Sequence, residues 1–172
     1  LKTESLNSFS DQKMVNFLRI NLVNSFSPNP SVETLLHAYL PHKYVDHTHS
    51  NAILSIVNQN NSKFLCQKIF NNKIAIVPYI MPGFKLAKLS KKIFDANSKV
   101  EGLILLNHGI FTFGNSAKQS YDRMIKFVTL AEKYISNTKQ IINLDKTRQS
   151  IDLNSLISLI RKKIYKLDKN KW

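Results

Sequence analysis

The most constraining feature of this sequence is its most hydrophobic stretch, VEGLILLNHGIFTFG, which runs from Val100 to Gly114. Two short apolar segments lie on either side of Asn107-His108-Gly109. Short apolar runs that are bounded by turn-forming residues are typical of strands buried in a sheet. We therefore predict two buried strands here, with His108 at the point where the apolar run is interrupted.

The rest of the chain predicts helices and further strands in alternation. Strands are predicted over Tyr44–Thr48 and residues 73–80, and Pro78 places the latter near a sheet edge or strand end. Apolar spacing and capping residues predict helices over residues 10–23, 32–40, 50–59, 63–70, 85–96, 116–135 and 153–166. Ser10 is the predicted cap of the first of these helices, and Asn115 or Ser116 that of the helix over 116–135. The inward residues of the helix over 116–135 are predicted to be Tyr121, Met124, Phe127, Val128, Ala131 and Tyr134. Strands separated by helices indicate a layered α/β domain.

Composition indicates a globular domain, and its positive charge suits either an anionic partner or a general compositional bias toward lysine. The chain has 172 residues, of which 43% are hydrophobic and 21% charged. No apolar run approaches the roughly 20 residues that cross a bilayer, and the single cysteine, Cys66, suits a reducing cytoplasm. The net charge of +14 favours nucleic acid or a phosphorylated substrate. Its lysines are scattered and no stacking motif accompanies them, so charge alone does not predict nucleic-acid binding.

Two histidines in the stretch YVDHTHS raise the question of a metal site. On a strand, His47 and His49 project to one face together with Val45, while Thr48 turns away. A metal ion needs three or four ligands, and His108 is the natural third candidate. Gly109 allows a close backbone approach beside it. The alternative is that each histidine is a hydrogen-bonded structural residue, because this spacing also recurs by chance.

Glu33 is the second informative residue, in the stretch PSVETLLH. We predict that Ser31 caps the helix that follows and that Glu33 lies in its first turn, with His37 one turn later. A carboxylate there is favoured by the helix dipole alone. The same helix end, with the Ser31 hydroxyl, would also suit a phosphate group.

Three segments resemble the class II aldolase/adducin family: PSVETLLHAYLPHKYVDHTHS, VPYIMPGFKLAKL and GLILLNHGIFTFGNSAKQSYDRM. They resemble most closely the aldolase half of bifunctional rhamnulose-1-phosphate aldolase/short-chain dehydrogenase proteins, from roughly Pro30 to Tyr134. The resemblance implies an α/β/α domain with a central, mainly antiparallel sheet. It implies that Zn²⁺, or another divalent transition metal, is bound by His47, His49 and His108. It further implies that Glu33 is the acid/base and that Ser31 helps to hold the substrate phosphate.

The activity that the resemblance implies is cleavage of a ketose 1-phosphate, rhamnulose 1-phosphate, to dihydroxyacetone phosphate and L-lactaldehyde. A sugar-phosphate epimerase or decarboxylase on the same scaffold is an alternative, as is a non-catalytic adducin-like binding module. The resemblance also implies a homo-oligomer, a tetramer, in the cytoplasm, with rhamnose catabolism as its setting.

The resemblance divides the chain into three parts. Residues 1–29 are a partial N-terminal part of the aldolase domain, 30–140 its metal-binding core, and 141–172 a helical extension toward a dehydrogenase domain. The family's glycine-asparagine-serine phosphate loop has no match in Leu1 to Asn29, and no glycine precedes Gly83. The first residue is Leu1 rather than Met, so we expect a piece of a longer protein that carries the metal centre without most of the phosphate-binding loop.

Overall fold

The computed structural model describes residues 10–138 and 152–167, and the chain divides after Thr138 into two units. The elements are α1 (Asp11–Ile20), α2 (Thr34–Tyr39), β1 (Tyr44–Thr48), α3 (Asn51–Val57), α4 (Ser62–Phe70), a 3-10 turn (Asn71–Lys73), β2 (Ile74–Val77), α5 (Phe84–Ala96), β3 (Gly102–Leu105), β4 (Gly109–Gly114), α6 (Ala117–Asn137) and α7 (Leu153–Leu167). The predicted parts 1–29 and 141–172 include residues 1–9, 141–151 and 168–172, which lie outside the described residues.

Within residues 10–138 the strands form one sheet in the order β1-β4-β3-β2. β4 pairs antiparallel with β1 and with β3, while β2 and β3 are parallel. The predicted α/β class with a mainly antiparallel sheet is therefore confirmed. Because β1, β2 and β3 all run opposite to β4, their C-terminal ends lie at the same end of the sheet. The residues that follow these three strands are thereby brought toward one another.

Helices cover both faces of the sheet. The core on one face joins α1, α2 and α5 to the sheet, and includes Leu103 and Phe111. The core on the other face joins α3, α4 and α6, and includes Ile104 and Ile110. Neighbouring strand residues thus enter opposite cores, as the alternation of side chains along a strand requires. The domain is an α/β/α sandwich.

The N-terminal helix α1 belongs to the first of these layers. Ser10 caps it as predicted, because its hydroxyl accepts a hydrogen bond from the Lys13 N–H at 3.3 Å. Met14 and Leu18 are buried. The carboxylate of Asp11 accepts a hydrogen bond from the N–H of Phe84, the first residue of α5, at 3.0 Å. That contact attaches α1 to the start of α5.

The inward face of α6 differs from the prediction at its first turn. Met124, Phe127 and Ala131 are buried, but Tyr121 is 60% exposed. The inward residue of that turn is Ser120, whose hydroxyl donates to the Thr112 carbonyl at 3.3 Å. Since α6 lies this close to β4, only a small side chain fits there. The prediction for Tyr121 was therefore wrong.

The second unit contains α7, which confirms the predicted C-terminal helix. Its exposed apolar side chains include Leu156, Ile157, Leu159 and Ile160. Among the described helices of both units, none has the length and apolar character that a membrane span requires.

Candidate metal centre

The end of β1 presents two histidines side by side. The Nε2 atoms of His47 and His49 lie 2.8 Å apart. The His47 Nδ1 lies 2.9 Å from the Ile110 carbonyl oxygen, to which its N–H donates. The His47 ring also stacks on Phe111, with centroids 3.9 Å apart and planes at 10°. These contacts fix the ring so that its Nε2 lone pair is directed toward the cluster.

His108 enters the cluster from the turn between β3 and β4. Its Nε2 lies 2.7 Å from Glu33 Oε1, and its side chain is only 8% exposed. Its other ring nitrogen, Nδ1, is buried with no hydrogen-bond partner among the described residues. The apolar run of the sequence is interrupted at His108, and the interruption is this turn.

Glu33 faces all three imidazoles. Its Oε1 lies 3.4 Å from His47 Nε2 and 3.9 Å from His49 Nε2, in addition to the short His108 contact. Glu33 is the N-cap residue of α2, which begins at Thr34. Glu33 was predicted to lie in the first turn of α2, but it lies just before that turn.

Ser31 does not cap α2, contrary to the prediction. Its hydroxyl accepts a hydrogen bond from the Glu33 N–H at 3.1 Å, and its carbonyl accepts one from Thr34 N–H at 3.1 Å. Ser31 thus caps a turn that precedes the helix, because residues 32 and 33 form an extra turn before α2 begins. This turn orients Glu33 toward the histidines.

The donor set fits a divalent metal ion. The ligand atoms of Glu33, His47, His49 and His108 all lie within 4.8 Å of one another. Metal–ligand bonds of about 2.0–2.1 Å in a tetrahedron require ligand atoms roughly 3.3 Å apart, within the observed range. Burial lowers the pKa of His47 below its ordinary value, which favours the neutral imidazole that metals bind. Three nitrogens and a carboxylate oxygen suit Zn²⁺, and also Mn²⁺, Co²⁺ and Fe²⁺.

Among the described residues, the cluster is most exposed at His49. The side chain of His49 is 52% exposed, whereas those of His47 and Glu33 are 10% and 21% exposed. With His108 almost covered as well, the His49 side of the cluster is the one most accessible to a ligand.

Gly109 makes the close packing of the cluster possible. A Cβ at this position would lie 2.6 Å from the Thr48 carbonyl oxygen and 2.8 Å from His49 Cδ2. It would also lie 3.2 Å from His47 Cε1. The expected close approach at Gly109 is therefore present, and it is the approach of β1 with both of its histidines.

The remaining two histidines lie outside the cluster. His37 is exposed and contacts Phe111 edge-on. His42 stacks on Phe113, with centroids 4.4 Å apart, and contacts Phe94 edge-on. The two contacts that support His47, with the Ile110 carbonyl and the Phe111 ring, were not predicted from the sequence. The available signal was the apolar alternation of β4, but it becomes informative only once the register with β1 is known.

The fold and this cluster define an α/β/α domain with a candidate divalent-metal site. The profile of the family described as "Class II Aldolase and Adducin N-terminal domain" matches residues 6–135, and the chain belongs to this family.

Similar proteins include a much longer one. The chain is 39% identical over 127 residues to "Uncharacterized oxidoreductase YuxG" of Bacillus subtilis (strain 168), a match that covers 74% of this chain and 18% of YuxG. The N-terminal class II aldolase domain of a conserved Thermoplasma acidophilum protein is 41% identical with a TM-score of 0.72, over 78% of this chain and 62% of that one. A sugar-phosphate aldolase from Thermotoga maritima is 18% identical with a TM-score of 0.56, over 64% of this chain and 55% of that one, and shares the fold. This chain therefore spans less than a fifth of YuxG.

Proposed function

We propose that this chain is the metal-binding domain of a zinc-dependent class II aldolase. Its substrate would be a ketose 1-phosphate, rhamnulose 1-phosphate, cleaved to dihydroxyacetone phosphate and L-lactaldehyde. The observation that carries the proposal is the convergence of three Nε2 atoms on one oxygen of Glu33, all within 4.8 Å. Four side chains from three separate segments meet at one end of the sheet, and this donor set suits zinc.

In this proposal His47, His49 and His108 hold the ion, and each has a distinct environment. His47 is fixed by Ile110 and Phe111, His108 is nearly covered, and His49 borders the open side. When bound, Zn²⁺ would supply a Lewis acid next to the substrate carbonyl, which favours breaking the adjacent carbon–carbon bond. The half-exposed His49 marks the side from which the sugar would enter.

Glu33 would move the proton that the cleavage requires. As the bond breaks, the hydroxyl of the departing aldehyde loses its proton, and the electron pair of the bond remains with the dihydroxyacetone phosphate fragment. That fragment then takes up one proton on carbon, so a single carboxylate that accepts and returns the proton balances the reaction. The position of Glu33 facing the imidazoles suits this role.

Ser31 would contribute to holding the phosphate. Its hydroxyl oxygen accepts from the Glu33 N–H, so its own hydrogen is available to donate to a phosphate oxygen. The link between the two residues would place the phosphate contact and the acid/base on one turn.

Two further proposals concern the whole protein. We propose a dehydrogenase domain beyond residues 141–172, supported by the description of YuxG as an oxidoreductase of which this chain matches 18%. We also propose a cytoplasmic homo-oligomer, a tetramer, supported by family membership and by the one cysteine, Cys66, whose thiol is buried. Light scattering of the purified protein measures the assembly.

Metal analysis and one substitution test the proposal. Protein expressed with sufficient zinc should contain about one zinc per chain, as a three-histidine site predicts. Glu33→Gln should keep that zinc, because three imidazoles remain, and should lose rhamnulose 1-phosphate cleavage in the full-length protein. Product formation is followed by NADH-linked reduction of dihydroxyacetone phosphate. Metal-free protein would refute the site. Zinc-loaded full-length protein that leaves this sugar uncleaved would refute the substrate.

A further inference from the structure

The turn that carries His108 is held by backbone contacts to two other elements. It consists of residues 106–108, between β3 and β4. The N–H of Leu106 donates to the Val77 carbonyl at 3.0 Å, at the end of β2. The N–H of Asn107 donates to the Val57 carbonyl at 3.3 Å, at the end of α3. Because these partners belong to packed elements, the turn has little freedom to change its path.

Asn107, in the middle of this turn, has a backbone conformation that most residues avoid. Its φ is 57°, in the left-handed region. Asparagine enters this region more readily than most residues with a Cβ, and glycine enters it without steric cost. The N–H of His108 then donates to Leu105 at 3.2 Å, which closes the turn and directs the imidazole toward Glu33.

We propose that Asn107 is a positioning residue of the metal centre, acting through its left-handed backbone rather than through its side chain. This inference rests on the proposed metal site. The Asn107 side chain is exposed, so the residue contributes to the structure mainly through its conformation. A residue that resists φ near 57° would rotate the peptide that leads into His108. The His108 Nε2 would then move relative to the two imidazoles of β1, and metal sites tolerate displacements of only about 0.2 Å.

Asn71 provides a matched control within the same chain. It is also an exposed asparagine with positive φ, 53°, and it lies at the end of α4. It precedes the N-terminal end of β2, whereas the metal centre lies at the C-terminal ends of the strands. Its ψ is −150°, so the two positions share a positive φ rather than the same conformation. A substitution at Asn71 therefore perturbs a positive-φ position of the fold without moving a ligand.

The experiment compares metal binding by the full chain and three variants: Asn107→Ala, Asn107→Gly and Asn71→Ala. Zinc affinity is measured by competition with a chelator, and Co²⁺ absorption reports the geometry of the site. Asn107→Ala should bind zinc about tenfold more weakly, with an altered Co²⁺ spectrum. Asn107→Gly should remain within about twofold of wild type, because glycine accepts the same φ. Asn71→Ala should lower the melting temperature but keep wild-type zinc affinity.

Each other outcome overturns a specific part of the inference. Wild-type affinity in Asn107→Ala would show that the turn does not need this residue. Equal loss in Asn107→Gly would assign the effect to the amide side chain instead. An equal loss of zinc affinity in Asn71→Ala would mean that the effect of Asn107→Ala is general destabilisation of the fold. Wild-type protein that binds neither Zn²⁺ nor Co²⁺ would refute the metal site itself, and that result is obtained before any variant is compared.

Discussion

Gly109→Ala is the substitution that most directly tests whether close packing of β1 assembles the metal centre. The added methyl group would lie 2.6 Å from the Thr48 carbonyl oxygen, a backbone atom that cannot rotate away. Ordinary contact begins near 3.4 Å, so the gap between β4 and the end of β1 must widen by about 0.8 Å. His47 and His49 lie on that end of β1 and would move with it.

The expected loss of metal affinity follows from this displacement. Metal–ligand distances tolerate only about 0.2 Å of error, and two of the three imidazoles would be displaced by several times that amount. We expect zinc affinity to fall by at least about tenfold, which corresponds to about 1.4 kcal/mol. The strain should also lower the free energy of unfolding by about 1–3 kcal/mol. A loss of stability alone would not show that Gly109 has a role in the metal site.

Gly102→Ala separates the two effects. Its Cβ would also lie 2.6 Å from a backbone carbonyl oxygen, that of Phe111. Gly102 is the first residue of β3, so it lies at the opposite end of the sheet from the cluster. Urea denaturation measures the stability of both variants, and chelator competition measures their zinc affinity. We expect both to lose stability and only Gly109→Ala to lose zinc. Wild-type zinc affinity in Gly109→Ala, or equal loss in Gly102→Ala, would refute the argument.

Two further predictions concern the cores rather than the ligands. Burial lowers the pKa of His42 below its ordinary value of 6.5, so the unfolded state binds a proton more tightly and stability should fall as pH drops below that value. His42→Phe should keep zinc, and its melting temperature should fall less at low pH than that of the wild type. His37→Phe is the control. An unchanged pH profile of the melting temperature in His42→Phe would contradict this prediction. Phe127→Ala should lower the free energy of unfolding by about 3–5 kcal/mol, and Tyr121→Ala by less than about 0.5 kcal/mol, both measured by denaturation. Similar losses in the two variants would contradict the observed burial of Phe127 and exposure of Tyr121 on α6.

The sequence predicts the elements of the fold well because each carries a local signal. The apolar segments on either side of Asn107 became β3 and β4, and the capping serines Ser10 and Ser116 begin α1 and α6. The spacing of His47 and His49 placed two imidazoles on one side of β1. Such signals depend on residues close in the chain, so they survive without knowledge of the tertiary structure.

The errors occur where a distant element decides the outcome. Tyr121 has the right helical spacing for the core, but the approach of α6 to β4 admits only Ser120 at that level. Ser31 has the right type for a helix cap, but an additional turn separates it from α2. None of these contacts is encoded within one helix or strand.

The metal centre depends on consecutive residues of β4 that are not ligands. Gly109 leaves room for the end of β1, the Ile110 carbonyl accepts from His47, and the Phe111 ring stacks under the same imidazole. Ile110 and Phe111 also belong to the two opposite cores, so the strand that joins the layers of the domain also supports the site. The stretch that most constrains the fold is therefore the one that orients the proposed ligands. Transferring only Glu33 and the three histidines to another sheet would not reproduce the cluster, because the atoms that hold His47 in place belong to the core.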